Sequence, residues 1–108
     1  MVREMTTDEM YIFVNLSKMI DSEVDDLYDA LIKEGGWALE AISKRFKALD
    51  IIVDKRVSIL VFFIGDNTIG KCVKYVDDIY RICRESNITN LSFKDFSMKV
   101  YPDGFPHL

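Results

Sequence analysis

Apolar positions in this chain recur at helical spacing over most of its length, and capping residues punctuate them. Thr6-Thr7-Asp8-Glu9 has the form of a capping box, with Thr6 as N-cap and Glu9 three positions later. Behind it, Met10, Phe13, Val14, Ser17 and Ile20 predict a first helix running to about residue 20. Asp21 or Ser22 caps a second helix, and Val24, Leu27, Tyr28, Leu31 and Ile32 form the cleanest amphipathic stripe in the chain. Gly35-Gly36 ends it, because glycine takes the left-handed conformation past a helix end at no steric cost. A third helix is expected over Trp37 to Leu49, turning Ala38, Ala41, Ile42, Phe46, Leu49 and the stem of Arg45 inward.

The segment Val57-Ser58-Ile59-Leu60-Val61-Phe62-Phe63-Ile64 is apolar almost all round. Such a run is either a buried strand or a helix enclosed by others. With Asp54 as its cap and Gly65 at its end, it reads as a central helix over about 55–65. Thr68 or Asn67 then opens a fifth helix with Ile69, Cys72, Val73, Val76, Ile79, Tyr80 and Cys83 inward. Asp77 with Arg81, and Arg81 with Glu85, stand at ion-pairing distance on its outer side. Asn87 stops this helix, and Ser92 with Asp95 opens a short last one bearing Phe93, Phe96 and Val100. Pro102-Asp103-Gly104 forms a turn before the tail. The expected fold is all-α: a compact orthogonal bundle of five or six helices forming a single domain over 1–108. Residues 1–5 and 102–108 are expected as flexible or loosely packed ends, and no internal repeat is visible.

Composition narrows the setting. Of 108 residues, 49% are hydrophobic, enough for one core without staples. The longest uninterrupted apolar stretch, Ile59 to Ile64, is far short of a membrane span, and the N-terminus has no apolar signal segment. Cys72 and Cys83 on one helix are separated by roughly 16 Å along its axis, too far to bond to each other. Buried free thiols, and with them a cytoplasmic location, are the expectation. The net charge of −4 disfavours a mainly electrostatic nucleic-acid binder.

Residues 60–71 carry a second pattern, Leu60 to Ile64 followed by Gly65-Asp66-Asn67-Thr68-Ile69-Gly70-Lys71. It resembles the first strand and phosphate loop of small GTPases and related P-loop NTPases. The resemblance implies backbone N–H groups cradling phosphates, Lys71 on the terminal phosphates, and magnesium on a hydroxyl from the next residue. Here that next residue is Cys72, a poor ligand for a hard ion. Only 37 residues follow Lys71, without a second strand for a parallel sheet. A degenerate nucleotide binder at 65–71 is thus one alternative reading.

Other constellations are as thin. Asp21, Glu23 and Asp25 echo a calcium loop, but Asp26 replaces the required glycine and Ile32 the last glutamate. Residues 41–58 can be threaded as a DNA-binding helix-turn-helix with Lys44, Lys47, Lys55 and Arg56 on phosphates. The second helix would then offer mainly Leu, Val, Phe and Ile to base edges. His107 is the sole histidine and stands at the end of the chain, so no enzyme is expected. Asp77-Asp78 reads as salt-bridge partners of Lys74, Arg81 and Arg84 rather than a catalytic pair.

The reading that remains is a non-catalytic protein-binding module: a regulator, adaptor or inhibitor without cofactor or metal. Its partner is another protein or a second copy of itself, with nucleic acid ranked behind these and no membrane involved. Small acidic helical proteins of this kind are common among phage and mobile-element products that block a host enzyme. The candidate surface combines the acids Asp21, Glu23, Asp25, Asp26 and Asp29 with Tyr11 and Trp37. Further apolar residues, among them Ile12, Leu16 and Met19 beside the first helix's stripe and Tyr101, Phe105 and Leu108 in the tail, add to a patch only where the core leaves them exposed.

Overall fold

The computed structural model describes residues 5–101. These form helices α1 (Thr7–Lys18), α2 (Asp21–Lys33), α3 (Trp37–Ala48), α4 (Lys55–Ile64), α5 (Ile69–Glu85) and the single turn α6 (Phe93–Asp95). α6 continues as a π-helical turn over Phe96–Val100. The all-α bundle read from the spacing is what forms. The turn and tail expected at 102–108, with Phe105, His107 and Leu108, lie outside the described residues, as does most of the 1–5 end. Met5, by contrast, is buried.

α4 is the centre. Val57, Ile59, Leu60 and Val61 have no exposed surface, and Ser58, Phe62 and Ile64 are buried with them. Each large apolar side chain removed from water in this way contributes roughly 2 kcal/mol. α1, α2, α3 and α5 all pack on α4. Asp54 caps it, its carboxylate accepting from the Arg56 N–H at 2.8 Å.

Most other punctuation is where the residue types put it. Thr6 and Glu9 complete their capping box, Gly35 is left-handed at φ 99°, Thr68 is the N-cap of α5, and Ser92 Oγ accepts from the Asp95 N–H. Three expectations need correction. The N-cap of α2 is Ile20, not Asp21 or Ser22; its N–H is taken by the Glu23 carboxylate at 3.1 Å. On α1 the buried apolar residues are Phe13 and Leu16, whereas Ser17 and Ile20 face solvent. Phe13 stacks on Phe93 at 4.4 Å between centroids, while Met10 and Val14 are partly buried against the core. On α5, Asp77 reaches across to Arg45 at 2.8 Å instead of Arg81, and the buried Asp78 takes Lys74 and Arg81.

One feature lies outside the helical reading altogether. Ile52–Val53 (β1) pairs in parallel with Asn90–Leu91 (β2). The sequence carries no repeat, yet the same connection is built twice. Asp50 and Asn87 are both left-handed after a helix. Ile51 N–H then returns to Phe46 O, and Ile88 N–H to Cys83 O. A short strand follows each, and Asp54 or Ser92 caps the next helix. Since α3 and α5 both deliver their chains into this strand pair and also meet at Arg45–Asp77, they run alongside in the same direction.

The α4–α5 turn explains the glycine-lysine pattern. It joins helix to helix, not strand to helix, with Asp66 and Asn67 both left-handed. A side chain on Gly65 would stand 2.4 Å from Cys72 Sγ and 3.0 Å from its backbone, whereas Gly70 has open space around it. Gly65→Ala is therefore expected to lower stability by about 1–3 kcal/mol through overpacking. Gly70→Ala, inside a helix, leaves it unchanged or raises it by about 0.5–1 kcal/mol. Urea denaturation of both variants checks this; equal losses would contradict it.

Candidate functional site

The acidic start of α2 meets the basic start of α4 and the end of α1. Arg56 is the hub. Its Nε donates to Leu16 O at 3.1 Å, Nη2 donates to Met19 O, and Nη1 to Asp21 at 2.8 Å. The guanidinium thus satisfies Met19 O, just past the last turn of α1, and adds a second donor to Leu16 O, which already accepts from the Met19 N–H at 3.3 Å. A cation in the first turn of a helix opposes the dipole, so its placement is explained only by these tertiary acceptors. That mismatch was the signal available in the sequence.

Lys55 extends the junction. Its ammonium bonds Asp25 at 3.0 Å and lies 5.1 Å from the Tyr28 ring centroid; the Asp25 hydrogen bond holds its pKa above the ordinary lysine value. Tyr28 hydroxyl in turn bonds Ser43 Oγ, which ties α2 to α3.

This settles where the sequence-predicted residues lie. Asp21 and Asp25 are engaged by Arg56 and Lys55, and Glu23 is a capping residue. Asp26 and Asp29 are exposed and make no ion pair among the described residues. The segment from Asp21 to Asp29 is continuous helix, without a calcium-loop backbone. Trp37 stands at the opposite end of α2 from this junction, roughly 20 Å away along a 13-residue helix. The acids and the tryptophan therefore do not form one patch. Tyr11 is exposed on α1. Of the DNA-contact candidates, Lys44 and Lys47 are exposed on α3, while Lys55 and Arg56 are occupied by α2. The helix meant to enter a DNA groove is α4, which is buried.

Sequence spacing missed two of the exposed apolar residues. Phe63 and Ile69 remain exposed beside the α4–α5 turn. Trp37 stands eight residues before Arg45, and Ile69 eight before Asp77, on two helices running alongside. Trp37, Phe63 and Ile69 therefore share one end of the bundle. Nothing in the spacing of Phe63 and Ile69 distinguished them from core positions.

Reactive chemistry is sparse. Burial, assisted for Cys72 by the Asp66 carboxylate and for Cys83 by that of Asp95, pushes both thiols up to about 11 from an ordinary 9.0. Among the described residues, no helix is long and apolar enough to cross a membrane. No protein-family model matches the chain, and neither a curated protein nor a solved structure does.

Two outcomes follow from this geometry. Arg56→Ala costs about 2–3 kcal/mol in denaturant unfolding, because charged hydrogen bonds to backbone carbonyls are lost from a mostly buried group. Lys55→Ala, removing an exposed pair, changes stability by only about 0.5 kcal/mol. Both cysteines resist an aromatic disulfide reagent at pH 8 until the chain unfolds, with roughly one thiol in a thousand ionised in the folded state. Because the folded thiols hold their protons to higher pH than the unfolded ones, their contribution to stability is complete below pH 9 and is lost as pH rises through about 11.

Proposed function

We propose that this protein is a non-catalytic binding module, a regulator, adaptor or inhibitor that acts by docking on another protein in the cytoplasm. The observation that carries the reading is Trp37: a large aromatic side chain left 74% exposed at the start of α3, with Phe63 and Ile69 at the same end of the bundle. Exposed aromatic and aliphatic anchors of this kind dominate protein interfaces energetically. Asp26 and Asp29, exposed on α2, lie apart from this apolar end and are not needed for it. The two free buried thiols support a reducing compartment.

The binding surface differs from the one first read in the sequence. Trp37 stays in it, and Phe63 and Ile69 join; Asp21, Asp25 and Glu23 serve the fold, and Asp26 and Asp29 are exposed on α2 apart from it. A DNA-binding role has no support from α4, and Lys71 has no strand-loop frame for a nucleotide.

The test is affinity capture with the wild-type chain and with Trp37→Ala, followed by titration of the captured protein. Loss of a buried tryptophan anchor weakens the complex by about 30-fold, at unchanged thermal stability. A chain that stays monomeric by sedimentation and captures nothing, or a complex indifferent to Trp37→Ala, contradicts the proposal. Self-association abolished by Trp37→Ala identifies the partner as a second copy.

A further inference from the structure

The α4–α5 turn leaves a cavity of about 490 Å³, lined by Asp66, Lys71, Lys74 and Asp78 around Ile64 and Tyr75. Its size is that of a small-ligand site. Its charges are arranged in two unlike halves. Lys74 and Asp78 bond each other at 3.3 Å, and Arg81 adds a second contact to Asp78 at 3.4 Å, so this wall is internally compensated. Asp66 and Lys71 line the same cavity without making an ion pair to each other or to any described residue. Ile64 and Tyr75 are both buried and supply an apolar floor.

We infer that this cavity binds a small zwitterion, a free α-amino acid with an apolar side chain. Lys71 takes its carboxylate, Asp66 its ammonium group, and Ile64 and Tyr75 its side chain. A simple anion would meet the two carboxylates, and a simple cation the two ammonium groups. Only a ligand carrying both charges finds a partner for each. Asp66 follows Gly65 in the left-handed conformation, within the turn that lines the cavity. The cavity adjoins Phe63 and Ile69 of the proposed docking surface, but the inference rests on Asp66 and Lys71, and neither Trp37 nor an unidentified partner enters it.

The test is titration of L-leucine and L-phenylalanine into the full 15N-labelled chain, followed by amide shifts. Saturable shifts at Gly65, Asp66, Lys71 and Lys74 are expected. The N-acetyl and methyl ester derivatives, each lacking one charge, bind at least about ten-fold more weakly. Lys71→Ala and Asp66→Asn each weaken binding by about ten-fold or more. Both variants keep the fold, since Lys71 is exposed and asparagine tolerates the left-handed conformation. No saturable shift at these amides overturns the inference. So do capped derivatives that bind as well as the free amino acids, or two variants that bind like wild type.

Discussion

A ten-residue helix with apolar side chains on nearly every side has no face it can turn to water. Its hydrophobic surface is stable only when other elements cover it completely, and this requirement organises the molecule. α1, α2, α3 and α5 are disposed around α4, which fixes how far apart their outer surfaces lie. The ends of α4 need separate solutions. At its start Asp54 caps the helix, and Arg56 draws α1 and α2 onto it. At its end a residue without a side chain lets α5 approach closely enough for Cys72 to enter the core.

The same arrangement divides the polar residues between structure and surface. The basic start of α4 takes up the acids Asp21 and Asp25, leaving Asp26 and Asp29 facing solvent. The thiols stay protonated in the core. Among the features that reach the surface are an apolar end around Trp37 and a mixed-charge cavity beside the α4–α5 turn. We propose recognition at both, of a protein surface at one and of a small dipolar molecule at the other.

Much of the fold was legible because it rests on local physics. Thr6, Asp54 and Ser92 precede the helices they cap, and Gly35 and Asn87 follow helices in the left-handed region. Those are decisions made within a few residues. What could not be read depends on partners distant in sequence. Phe93 stacks on Phe13 of α1, Arg45 takes Asp77 in place of Arg81, and two connections nearly forty residues apart create the strand pair. The candidate surface was legible residue by residue but not as a surface. Trp37, Asp26 and Asp29 are exposed as their types suggest, whereas the length of α2 separates tryptophan from Asp21, and Lys55 and Arg56 withdraw two of the acids.

The enclosure of α4 is tested most directly by native-state hydrogen exchange. If α4 is the helical centre, the amides of Ile59 to Ile64 are the slowest in the chain, and they exchange only through the opening that denaturant measures as global unfolding. Exchange of these amides through small local openings, as fast as that of the outward-facing amides of α2, would contradict it.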